Sequence, residues 1–157
     1  MRPGLQDCPG EGLSVGRDVP TVLPCYCATV RSASRVISKI YDEALRPSGL
    51  QISQYTVLEF LTLMPEARVT DMCAMLGVDQ TTMSRNLALM ARDGLIAGKQ
   101  GADKREKRWS LMPAGSAAYL RARPLWAAAQ KRLEEGWGEA RLQRLRADLH
   151  ELLDSLD

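Results

Sequence analysis

Apolar positions along this chain recur at helical spacing nearly everywhere and at strand spacing in one place. Val30, Ala33, Ile37, Ile40 and Ala44 repeat at threes and fours, predicting one long helix that ends near Pro47-Ser48-Gly49. Val57 to Met64 is the most apolar run, interrupted by Glu59. Met83, Leu87 and Met90 mark the buried face of a further helix. That helix should stop at Asp93-Gly94-Leu95, with glycine in the left-handed conformation and Leu95 folded back on Met90. Leu95 to Gln100 and Lys107 to Met112 have strand-like composition, and Trp109 and Leu111 alternate with Arg108 and Ser110 as in a half-buried strand. The polar stretch Gly101-Ala102-Asp103-Lys104-Arg105-Glu106 between them predicts a hairpin tip. Pro113 to Glu135 is an alanine-rich helical stretch, expected to bend at Pro124. Leu142, Leu145, Leu149, Leu152 and Leu156 then stripe the C-terminus. The pattern predicts a mainly α chain with one small β-hairpin.

The segment from Met72 to Arg85 has the side chains a tight turn between two helices requires. Cys73 supplies a small residue where the helices cross, Gly77 accepts positive φ, and Met83 is a buried apolar contact. Met72, Leu76 and Val78 pack between the helices, and Asp79 is placed to cap the second one through the amides of Thr81 and Thr82. Gln80, Thr81, Ser84 and Arg85 are left facing outward near its N-terminus. With the hairpin behind it, this is the pattern of a winged helix-turn-helix, in which one helix enters the major groove and a wing meets the minor groove or backbone. Charge agrees. Asp79 to Arg108 carries seven basic residues (85, 92, 99, 104, 105, 107, 108) and four acidic ones (79, 93, 103, 106), a local +3 against +2 for the chain. The plainer alternative is an amphipathic core helix beside a solvated charged hairpin.

These stretches carry a family resemblance. Ser48-Gly49-Leu50 through Gln54-Tyr55, Leu76-Gly77-Val78-Asp79 through Ser84-Arg85, Asp93-Gly94-Leu95-Ile96, and Asp103-x-Arg105 leading to Leu111-x-Pro113-Ala114-Gly115 resemble the MarR (multiple antibiotic resistance regulator) family over about Val30 to Leu156. The resemblance implies a winged-helix homodimer that represses or activates promoters and responds to a small molecule, such as an aromatic compound, or to an oxidant. It places Gln80, Thr81, Thr82, Ser84 and Arg85 on the recognition helix. On the wing it makes Arg105 the arginine that enters the minor groove, Asp103 the acid that orients it, and Lys104 and Lys107 its basic neighbours. Two positions depart from the family pattern: Gln51 and Met112 each stand where a threonine would cap the following helix.

Length and composition narrow the organisation. With 157 residues, 45% hydrophobic and a single phenylalanine, the chain can bury one core and is expected to be one mainly helical domain per subunit. Residues 1–24, rich in proline and glycine up to Pro20 and without the apolar core of a signal peptide, are expected to be a loose arm. The expected division is a first dimerisation helix over 25–48, the winged region over 49–112 and C-terminal dimerisation helices over 113–157. Apolar stripes at both ends suit pairing with a twofold mate, which would set two recognition helices on half-sites ~34 Å apart in a near-palindromic operator. An intrachain helix bundle is the alternative. No apolar stretch approaches the length needed to span a bilayer, and the expected compartment is the cytoplasm.

Cysteine chemistry is the remaining candidate. Cys8 lies in the arm, while Cys25 and Cys27 open the first helix, where the dipole favours negative charge and Arg31 sits one turn on from Cys27. A Cys25–Cys27 disulfide would be strained, because residues two apart on a helix point to nearly opposite faces. Cys27 precedes Tyr41 by fourteen residues, similar to the reactive cysteine and its tyrosine partner in the family's organic-hydroperoxide-sensing branch; Arg31 replaces that branch's second tyrosine. No metal site is expected, since Cys25-x-Cys27 lacks further ligands at metal spacing and the only histidine is His150. No cofactor motif or catalytic triad is recognisable. A protein-binding winged helix and, more weakly, a thiol peroxidase using Cys27 are the competing functions.

Overall fold

The computed structural model describes residues 25–101 and 106–156. Helix α1 (Tyr26–Leu45) runs into a 3-10 turn over Arg46–Ser48, which Gly49 ends at φ 77°. Helix α2 (Ile52–Leu63) follows, then strand β1 (Ala67–Arg68), α3 (Val69–Leu76), α4 (Gln80–Arg92), β2 (Ile96–Gln100), β3 (Lys107–Leu111), α5 (Pro113–Trp137) and α6 (Glu139–Leu156). The fold is the expected one: mainly helical, with a winged helix-turn-helix at its centre. Among the described residues, no helix is long and apolar enough to cross a membrane.

Two helix starts show how missing caps are replaced. At α2 the Gln51 amide donates to Gln54 Oε1 at 2.9 Å, and the Ile52 amide donates to Asp42 Oδ1 of α1 at 2.7 Å. An acid ten positions upstream in another helix thus satisfies an amide that a local threonine would not reach. At α5 the cap residue Met112 is extended and gives no side-chain bond, but Pro113 at the first position has no amide to satisfy. Neither departure from the family pattern moves a helix start. Pro124 lies inside one continuous 25-residue helix.

The expected two-stranded hairpin gains a third strand. The sheet has the order β1-β3-β2 and is antiparallel, with Ala67 opposite Trp109 and Arg68 opposite Arg108 on one side of β3. On the other side Ile96 pairs Leu111 and Gln100 pairs Lys107. One core, including Leu58, Met72, Met83, Leu87, Met90 and Trp109, joins the sheet to α2, α3 and α4. Tyr55 of α2 stacks on Tyr119 and Trp126 of α5, with centroids 5.4 and 5.7 Å apart, and so couples the winged region to the C-terminal helices. Gly115, Ala118, Ala122 and Ala129 are the buried residues of α5's inner face, where small side chains let neighbouring elements approach. On the first and last described helices, Tyr26 is 92% exposed, and Val30, Leu152 and Leu153 are exposed too.

Candidate nucleic-acid interface

The recognition helix is built from its turn upward. Helix α3 ends at Gly77, φ 60°, and the Val78 amide returns to the Cys73 carbonyl at 3.3 Å. Cys73 is half-buried against the core, as a small residue at a helix crossing should be. Asp79 then caps α4 with both oxygens: Oδ1 accepts from the Thr82 amide at 2.9 Å and Oδ2 from the Thr82 hydroxyl at 2.6 Å. These bonds, the hydroxyl's first, hold the Asp79 carboxyl below its ordinary value. The Thr82 proton is committed to the cap, so Thr82 is left with acceptor capacity only. At the far end the Leu95 amide bonds the Met90 carbonyl and the Gly94 amide that of Ala91, both at 3.0 Å, closing α4 as a Schellman turn around Gly94 at φ 72°.

With Met83, Leu87 and Met90 buried, the opposite face of α4 is open. Gln80, Thr81, Ser84, Arg85 and Ala88 line one shallow surface there. Asn86, one position past Arg85, reaches the Ser53 carbonyl at 3.4 Å and ties α4 to α2. Among the described residues Arg85 and Lys99 carry no ion pair, whereas Arg92 pairs Asp93 at 3.3 Å. The structure therefore brings four of the five helix residues named from the sequence onto one free face and gives the fifth, Thr82, to the cap.

The wing is more constrained than its charge suggests. Asp103, Lys104 and Arg105 lie outside the described residues. Lys107 lays its ammonium over the Trp109 ring, 4.3 Å from the centroid, with its stem across Gly98; a Cβ at Gly98 would stand 2.1 Å from Lys107 Cε. Lys107 is exposed, but its charge rests on the sheet. Sequence reasoning missed a network at the wing's root. Arg68 reaches Asp71 at 2.8 Å and Glu106 at 3.3 Å, and Glu106 also takes Arg108 at 3.3 Å. The Asp71 carboxyl is held below its ordinary value, chiefly by its hydrogen bonds from the Arg68 side chain. The only local signal was Asp71 three residues after Arg68, which alone reads as an ordinary surface pair.

Among the described residues, the thiols named from the sequence do not meet Tyr41. Cys25, Cys27 and Cys73 are free, and Cys25 and Cys27 are exposed at the start of α1. Cys8 lies outside the described residues. Fourteen residues of helix separate Cys27 from Tyr41 by about 21 Å. Tyr41 instead donates to Gln130 of α5. Burial, helped by the Glu134 carboxylate, raises its phenol above the ordinary value, so the proton for that bond stays in place. Among the described residues no three acids, histidines or cysteines gather as a metal site would need.

The comparisons agree with this geometry. The MarR family model matches residues 48–106, which contain the helix-turn-helix and the first strand of the wing. The M. tuberculosis transcriptional regulator MosR, solved in complex with DNA, is 38% identical to this chain. That likeness covers 84% of this chain and 98% of MosR with a TM-score of 0.74. The S. aureus MepR–DNA complex, 21% identical with a TM-score of 0.71 over 83% of this chain and 98% of its own, shares the fold. YwoH, an HTH-type transcriptional regulator of Bacillus subtilis (strain 168), is 32% identical over 78 residues, half of this chain. This chain spans 57% of the length of YwoH. On its turn, its wing and these likenesses, the chain belongs to the MarR family of winged-helix transcriptional regulators.

Proposed function

We propose that this chain is a homodimeric DNA-binding regulator, acting as a repressor in the cytoplasm on a near-palindromic operator. The observation that carries the reading is the open polar face of α4, where Gln80, Thr81, Ser84 and Arg85 stand together on a helix whose other face is buried. In this reading residues 49–112 bind DNA, while 25–48 and 113–157 pair two subunits. Arg105 of the wing would enter the minor groove, with Asp103 orienting it and Lys104 on phosphate. Release follows either from a small aromatic ligand bound between the dimerisation helices and the winged region or from oxidation at Cys27 by an organic peroxide.

The test is fluorescence anisotropy with a labelled duplex enriched from a random library by the wild-type protein. Log affinity should fall linearly with log salt, with a slope of about −0.9 per phosphate neutralised. A flat salt profile, or no enriched duplex, would instead indicate a winged helix that binds protein. Peroxide treatment divides the two signals: Cys27→Ser should bind DNA as wild type does and no longer be released by oxidant, since serine is nearly isosteric but not oxidisable. Equal release of both proteins removes Cys27 from the mechanism.

A further inference from the structure

We propose that Arg68 and Glu106 are positioning residues that fix the wing against the helix-turn-helix, so that DNA affinity depends on their geometry and not on their charge. The inference rests on the DNA-binding reading above. Strand β1 is two residues long and gives the wing only two residue pairs with β3, a short hinge for a ribbon that must meet DNA at a set angle. Side chains complete the joint. The Arg68 fork donates from Nε to both Asp71 oxygens, at 3.1 and 3.0 Å, and from one terminal nitrogen to Asp71 Oδ1 at 2.8 Å. Its other terminal nitrogen reaches Glu106 Oε1 at 3.3 Å. Glu106 Oε2 accepts from Arg108 at 3.3 Å, and Arg108 reaches back to the Glu66 carbonyl at 3.5 Å.

One carboxylate at the wing's root is thus held between two guanidiniums and, through Asp71, tied to the first turn of α3. Helix α3 packs on α4, so the chain of bonds runs from the wing to the scaffold of the recognition helix. Glu66 enters this joint at φ 62°, a left-handed backbone conformation uncommon for residues other than glycine. A planar fork can bridge two carboxylates at fixed angles; an ammonium of equal charge cannot hold both in that geometry.

Charge and geometry predict opposite results. Removing the negative charge of Glu106 beside phosphates should tighten binding if electrostatics alone matters. If Glu106 positions the wing, Glu106→Gln weakens binding by ~2–5-fold. Arg68→Lys keeps the net charge and should weaken binding to a similar degree. The double variant should be no worse than the poorer single one, because the two act through one joint. All should melt within experimental error of wild type, and hydroxyl-radical protection should fade only over the stretch the wing covers. Anisotropy on the duplex enriched by the wild-type protein reads the affinities. Equal or tighter binding by Glu106→Gln, additive losses, or losses that track melting temperature would each overturn the inference. Failure of the wild type to enrich any duplex removes the DNA-binding reading itself, a separate result.

Discussion

Asp79 performs at residue scale what the turn needs in order to present α4. Its carboxylate takes the Thr82 amide and hydroxyl, and those bonds to the charged form hold its carboxyl below the ordinary value. A carboxyl depressed in the native state stabilises fully above its unfolded value, about 3.9, and loses that contribution as pH falls through the lower native value. Asp79→Asn keeps an acceptor but cannot titrate. Wild type should therefore resist urea better than Asp79→Asn at neutral pH, and the gap should narrow as pH falls below the unfolded carboxyl value. A gap that stays constant across that range would show that the cap does not depend on ionisation. Immediately after this cap, Gln80 begins the open face that includes Arg85. Arg85→Ala should cost about 1–3 kcal/mol on the enriched duplex and flatten base preference at one position. Lys104→Ala should weaken all duplexes alike and lower the salt slope by about one. Identical patterns for the two variants would refute this division of roles.

At the scale of elements, the joint between α4, β2 and α5 depends on a missing side chain. Gly115, in the first turn of α5, is buried, and a Cβ there would lie 1.9 Å from the Leu95 carbonyl oxygen and 2.9 Å from its carbon. The same carbonyl accepts the Met112 amide at 3.0 Å, so backbone meets backbone and neither side can give way cheaply. Gly115→Ala should destabilise by about 1–3 kcal/mol in urea titration. Gly136→Ala, where a Cβ would meet nothing within 4 Å, should stabilise by about 0.5–1 kcal/mol. If the two substitutions shift stability in the same direction, close approach is not what Gly115 provides. This joint also marks how far the sequence could be read. The 3.6-residue period exposed the long helices, and Gly77, Asp79 and Gly94 set the ends of α3 and α4, because each of those signals is local. Strand β1 has two residues and no period. The Asp42 cap on α2 and the network from Glu66 to Arg108 join positions far apart in the chain, so they exist only once the fold has formed. Lys107 was legible as a wing cation, but its seat on Trp109 follows from the register that puts Gly98 beside it.

For the whole molecule, the first and last described helices leave apolar side chains in water. Tyr26 is 92%, Val30 48%, Leu152 47% and Leu153 64% exposed in the single subunit, while Leu142, Leu145 and Leu149 are half-buried. Apolar surface on the terminal helices, beside that of Leu63 and Met75 in the winged region, would be covered by a second copy of the same chain. Leu152→Glu isolates that pairing. In a lone subunit the side chain is already about half in water, so a carboxylate there should leave helicity and core melting nearly unchanged. In a twofold dimer the substitution enters the same interface twice. At about 1.5–3 kcal/mol for a leucine fully buried, with about half of that left to gain on pairing, the two should cost ~1.5–3 kcal/mol, a dissociation constant raised roughly ten- to a hundredfold. Light scattering after size exclusion should then give a dimer for wild type and a monomer for Leu152→Glu at micromolar concentration. DNA binding should fall with it, since a single subunit presents one α4 and reaches one half-site. A wild type that is monomeric at that concentration would return the three terminal helices to an intrachain role. A Leu152→Glu protein that stays dimeric would place the interface elsewhere on the molecule, away from the C-terminal stripe.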